Sequence, residues 1–121
     1  MTPKQRSRAR VVQALYQWLV SGDDLAEIEQ QFLNQKEGKI SKAFFSNLFI
    51  NIPKTISLLD EIIKPSLDRS LHELGPTERA VLYLGVYELK FQLIDSQIQN
   101  GSFSWSQFIN TSIKRRLNYF I

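Results

Sequence analysis

Apolar residues along the chain recur mostly at intervals of three and four, the period of an α-helix with one buried face. The first run predicts a helix from about Lys4 to Val20. In it Val12, Leu15 and Leu19 form a stripe, with Val11 and Trp18 beside it. Ser21, Gly22 and Asp23 end it, glycine being suited to the left-handed conformation that follows many helices. Asp23 is placed to cap a second helix, in which Leu25, Ile28 and Phe32 repeat at helical spacing. The stretch from Gln35 to Lys39 is polar, contains a glycine, and reads as a loop.

Ser41 is a suitable N-cap for a long third helix, whose rhythm runs through Phe44, Phe45, Leu48, Ile52, Ile56, Leu59, Ile62 and Ile63. Pro53 interrupts it and predicts a kink or break, because proline removes a hydrogen bond and clashes with the preceding turn. A short segment carrying Leu67, Leu71 and Leu74 follows Pro65. Gly75 and Pro76 then open another helix, with proline at the first position, where its missing N–H is harmless. Val81, Leu82, Leu84, Val86 and Leu89 make this helix apolar on more than one side, so it belongs at the centre of a bundle. Gly85 costs a helix about 1 kcal/mol relative to alanine, which suggests that a neighbour approaches closely there. Past Ile94, serine, glutamine and asparagine dominate. One amphipathic helix is still readable, with Trp105, Phe108, Ile109, Ile113, Leu117 and Phe120 on one face. Without any alternating strand pattern or internal repeat, the predicted class is all-α.

Composition narrows the function classes. A chain of 121 residues is about one domain, and its 43% hydrophobic and 22% charged residues are ordinary for a globular protein. The chain has no cysteine, which excludes disulfides and thiolate metal sites and makes a reducing cytoplasm the expected location. No apolar run approaches the roughly 18 residues of a membrane span. The one histidine, His72, stands in a polar stretch beside Glu73, and Asp60 and Glu61 point different ways on a helix. No set of nucleophile, base and orienting group can be assembled, nor any phosphate or metal motif. The expectation is a binding protein, not an enzyme, without metal or cofactor.

The net charge of +3 says little, but its distribution says more. Lys4, Arg6, Arg8 and Arg10 fall in the first ten residues with no acid among them, and Lys114, Arg115 and Arg116 form a second cluster. Cations at a helix start oppose its dipole by about 0.3–1 kcal/mol each. Arg6 and Arg10, four apart, are expected to share an outward face with Gln13 and Gln17, opposite the apolar stripe, while Arg8 reaches outward past the core. On the residues alone two readings stand: a solvated basic helix start, or guanidinium forks for phosphates, with Gln13, Gln17 and Tyr16 available to bases or sugars. Basic residues beside amide and aromatic side chains suit single-stranded RNA better than a duplex groove.

The stretch "RSRARVVQALYQW" resembles the first helix of the NusB family of bacterial transcription antitermination factors. The likeness continues through "EIEQQFL" and "LLDEIIKPSLDRSLHELGPTERAVLYLGVYEL", covering about residues 4–90. The resemblance implies an all-helical fold of two small bundles packed across one another. It implies a partner, the ribosomal protein NusE, with which the protein binds boxA-type RNA in the antitermination complex on RNA polymerase, chiefly during ribosomal RNA transcription. Carried over by matching position, RNA contacts fall on Arg6, Arg8 and Arg10, with Lys4 and Tyr16 as further candidates. Partner contacts fall on Glu78, Tyr87 and Glu88, for which burial of Tyr87 and a structural Glu88 are the alternative. A helical protein–protein adaptor without RNA binding of its own is the alternative function.

The end of the chain departs from this pattern. After "YEL" the family continues with a proline-containing turn and helices resembling "INEAVELAK" and "KFVNGVLD", whereas this chain has "KFQLIDSQIQNGSFSWSQFINTSIKRRLNYFI". Residues 1–93 are therefore expected to form a NusB-like helical domain with an incomplete second bundle. Residues 94–121 are expected to be an atypical tail, whose helix over 105–120 belongs to the same domain and covers part of the Val81–Leu89 helix.

Overall fold

The computed structural model describes residues 2–36, 38–67, 70–92 and 104–111. It is all-α: α1 (Pro3–Ser21), α2 (Leu25–Leu33), α3 (Lys42–Lys54), α4 (Ile56–Ile63), α5 (Pro76–Tyr87) and α6 (residues 105–111). Short 3₁₀ turns at Lys64–Ser66 and Leu71–Glu73 link α4 to α5, and a π-helical turn over Glu88–Gln92 extends α5. Helices α1, α2 and α3 pack as one group. Helices α4 and α5 pack on it, with α5 lying against α1, α3 and α4. The central position expected for α5 is thus found, with Ala80, Leu82, Tyr83, Leu84, Val86 and Tyr87 all buried.

Local chemistry sets the ends of α1. The Thr2 hydroxyl accepts from the Gln5 N–H at 3.1 Å, the Gln5 side chain accepts from the Thr2 N–H at 2.8 Å, and Pro3 occupies the first turn. This reciprocal cap satisfies donors at the helix start. The basic residues therefore follow a capped N-terminus, which the charge pattern alone did not suggest. At the other end Gly22, at φ 69°, donates to the Trp18 carbonyl at 2.9 Å.

The buried stripe of α1 differs from the expected one. It runs through Ser7, Val11, Ala14 and Leu15, with Trp18 partly buried, while Val12 and Leu19 lie half-buried on its flank. Serine and alanine carry little weight in an apolar pattern, yet their small side chains suit a close helix–helix approach. Asp24, not Asp23, caps α2, accepting from the Glu27 N–H at 3.2 Å, since Asp23 still belongs to the turn after Gly22. Ser41 caps α3 as expected. Pro53 yields a break just after it. The Thr55 N–H divides between the carbonyls of Asn51 and Ile52, at 3.2 and 3.1 Å, and α4 restarts at Ile56.

Phe32, Phe45 and Phe49 stack in sequence at centroid distances of 6.4 and 5.7 Å, joining α2 to α3. On the far side of α5, Phe108 of α6 lies where a side chain at residue 85 would be. A Cβ there would stand 3.1 Å from Phe108 Cζ, so Gly85 admits the neighbour that its cost implied. The next residue, Ile109, is fully buried in the same core. Ile113, Lys114, Arg115, Arg116, Leu117 and Phe120, which sequence placed on the rest of this helix or in the second basic cluster, lie outside the described residues.

Candidate functional site

Arginines at every second position of a helix point about 200° apart, so Arg6, Arg8 and Arg10 cannot share one face. The structure divides them between two flanks of α1. Arg6 and Arg10 turn toward the loop joining α2 to α3. The Arg6 Nε donates to the Lys39 carbonyl at 2.6 Å. Arg10 donates through Nη1 to the Phe32 carbonyl at 3.4 Å and through Nη2 to the Gly38 carbonyl at 3.2 Å. One turn nearer the N-terminus, Ser7 Oγ accepts from the Ser41 N–H at 2.9 Å. The loop therefore runs antiparallel along α1, clamped successively by Arg10, Arg6 and Ser7.

This corrects the outward placement expected for Arg10. Only 8% of its surface is exposed, and its guanidinium serves the Phe32 carbonyl at the end of α2 and the Gly38 carbonyl in the loop. Gly38 makes the clamp possible in two ways: its φ of 72° belongs to the left-handed region, and a Cβ there would come within 3.1 Å of Arg6 Cδ.

On the opposite flank Arg8 Nε donates to Glu88 at 2.8 Å, and the guanidinium lies 5.1 Å from the centroid of the Phe44 ring. Lys4 Nζ sits over the same ring at 5.5 Å. Held at Nε and over one face, Arg8 makes no hydrogen bond through Nη1 or Nη2 to any described residue, and its side chain remains 38% exposed. Between the two flanks runs an exposed ridge of Ala9, Gln13, Tyr16 and Val20, with Tyr16 43% exposed. Next to it, Arg6, Ala9, Arg10, Gln13 and Gln35 line an open depression of about 220 Å³.

The partner-contact candidates separate differently. Tyr87 and Glu88 are buried, Tyr87 against the Phe91 ring at 5.1 Å and Glu88 against Arg8, so both hold α5 in place. Burial also raises the Tyr87 hydroxyl above its usual pKa. Glu78 is half-buried at the start of α5. His72 is exposed in the second 3₁₀ turn. Among the described residues no helix is long and apolar enough to cross a membrane.

Sequence reasoning passed over Lys36, Lys39 and Lys42, all exposed on or beside the clamped loop. Their spacing of three was visible, but that they lie along α1 depends on contacts between residues some thirty positions apart, such as Arg6 with Lys39.

The model of the NusB family matches residues 5–98. The chain is also similar to proteins named transcription antitermination protein NusB. It is 43% identical to that of Shewanella amazonensis, 44% to that of Pasteurella multocida and 43% to that of Serratia proteamaculans. These alignments cover 76%, 77% and 76% of the chain, and 71%, 65% and 69% of the three relatives. With its helical architecture and the extent of these matches, the chain belongs to the NusB family, whose members are not enzymes.

Proposed function

We propose that the chain is an RNA-binding transcription antitermination factor. It acts in the cytoplasm, binds boxA-type single-stranded RNA together with ribosomal protein NusE, and supports ribosomal RNA transcription within the antitermination complex on RNA polymerase. The observation that carries this reading is the ridge of α1. Exposed Gln13 and Tyr16 stand between Arg6 on one flank and Arg8 with Lys4 on the other. Guanidinium and ammonium groups meet phosphates, while amide and aromatic side chains meet bases and sugars. Arg8 presents its Nη edge, Tyr16 its ring, and Arg6 borders the depression beside Gln13. Arg10 contributes by holding the loop that forms the wall of that depression. Glu78 is the proposed partner contact on α5, while Tyr87 and Glu88 act through the packing of that helix.

A gel shift with a boxA-type RNA, with and without NusE, tests this function. The expected result is a shifted RNA that NusE strengthens. Capture of NusE with the RNA left free would replace it by the adaptor reading. Arg8→Ala should weaken RNA binding and reduce the slope of log K against log salt by about 0.7, one phosphate contact on a single strand. An unchanged slope would remove Arg8 from the interface.

A further inference from the structure

Three lysines outside α1 stand beside its arginine flank, and none belongs to the N-terminal motif. Lys36 and Lys39 lie on the loop clamped by Arg10 and Arg6, and Lys42 opens α3 directly after Ser41, which Ser7 holds. All three are exposed. The described anchors from this segment to α1 are main-chain groups, among them the Phe32, Gly38 and Lys39 carbonyls and the Ser41 N–H. The lysine side chains make none of these anchors, and the sequence of residues 35–42 contains one acid, Glu37. The clamp thus fixes the backbone that carries three ammonium groups next to Arg6 and the depression it borders.

We infer that Lys36, Lys39 and Lys42 form a second line of phosphate contacts, which extends the RNA surface of α1 along the α2–α3 loop. A flexible lysine serves as a point charge for phosphate and needs no fixed geometry, so backbone placement is enough. Fixing that backbone in advance also reduces the ordering that binding would otherwise require. The inference rests on the RNA-binding reading above. It adds to it that a bound single strand runs off the ridge across the arginine flank toward the loop.

The test is fluorescence anisotropy of a labelled single-stranded boxA-type RNA on the full chain, titrated at several salt concentrations. The variants are Lys36→Ala/Lys39→Ala/Lys42→Ala and, as a control, Lys54→Ala/Lys64→Ala, two exposed lysines at the ends of α3 and α4. Because the three lysine side chains make none of the described anchors, the triple variant should unfold at the wild-type urea midpoint. Its salt slope should become shallower by about 2, roughly 0.7 for each phosphate no longer neutralised, while the control keeps the wild-type slope. Wild-type slope in the triple variant, or an equal change in the control, overturns the loop surface. So does loss of binding to anionic phospholipid vesicles with RNA binding unchanged, which would assign the lysines to a membrane surface. Failure of the wild-type chain itself to bind the RNA would instead count against the proposed function.

Discussion

The Nε–H of Arg8 is shared between both carboxylate oxygens of Glu88, at 2.8 and 3.1 Å, tying the start of α1 to the end of α5 across eighty residues. The two partners are unequally buried, 38% and 10% of the side chain being exposed, and this decides which loss costs more. Arg8→Ala strands a carboxylate with little access to water, whereas Glu88→Gln keeps an acceptor and leaves a guanidinium that water can reach. Urea denaturation should show Arg8→Ala destabilised by about 1–2 kcal/mol and Glu88→Gln by less than about 1 kcal/mol. Losses of less than about 0.5 kcal/mol in both variants would mean that the pair is solvated and contributes little.

Arg10 should behave as a structural residue. Arg10→Ala removes charge-assisted donors from the Phe32 carbonyl of α2 and the Gly38 carbonyl of the loop, and is expected to cost about 2 kcal/mol. Gly38→Ala forces a side chain into left-handed backbone, at about 1–2 kcal/mol. Both should loosen the same loop, so limited trypsin digestion should nick it after Lys36 and Lys39 faster than in the wild type. A stable Arg10→Ala variant with wild-type digestion would return Arg10 to the set of direct RNA contacts. For the same reason an Arg6→Ala/Arg10→Ala double variant cannot separate RNA contact from folding, and Arg8→Ala is read through the salt slope of binding by protein shown to be folded.

The fold was legible wherever large apolar residues carried the helical period. Ser41, Pro53, Gly75 and Gly85 punctuate it where the structure has a cap, a break, a helix start and a close approach. What was not legible depended on small or charged side chains whose partners are distant in sequence. Ser7 and Ala14 sit at the centre of the α1 interface because they are small. Arg10 is buried because the carbonyls of Phe32 and Gly38 come to it. No periodicity encodes that return of the chain, and a charged residue is ordinarily assigned to solvent. The cap made by Thr2 and Gln5 is a local motif, but the cations that follow it dominate the pattern of the first ten residues.

The contact between Gly85 and Phe108 makes a graded prediction. Alanine would gain about 1 kcal/mol in helix propensity but must displace Phe108 by a few tenths of an ångström. Since Phe108 is only partly buried and meets the site with its ring tip, the two effects should nearly cancel, leaving stability within about 0.5 kcal/mol of wild type. Leucine is too large for such a shift and should undock α6. Trp105, also on α6 and packed against the core, reports this in a Trp18→Phe background that leaves it the only tryptophan. Gly85→Leu should shift its emission to the red. Unchanged emission would show that α6 does not depend on this contact.

A final prediction concerns alkaline pH. The Tyr83 hydroxyl, on the face of α5 toward α4, donates to Asp60 Oδ1 at 2.6 Å and accepts from Arg79 Nη2 at 2.9 Å. Burial first, and then the hydrogen bond to the Asp60 carboxylate, disfavour the phenolate and push its pKa up to about 12, with Arg79 opposing. In the unfolded chain a tyrosine loses its proton near pH 10. Between these values the unfolded state binds fewer protons than the folded one, so stability falls as pH rises. The stabilisation is complete below pH 10 and is lost toward pH 12, by up to about 2–3 kcal/mol. Tyr83→Phe should be less stable at neutral pH by about 1–2 kcal/mol, because it leaves Asp60 without its donor. The difference between variant and wild type should then narrow from pH 10 upward in denaturation curves taken at fixed ionic strength. A difference that stays constant to pH 12 would mean that Tyr83 ionises as readily in the folded chain as in the unfolded one.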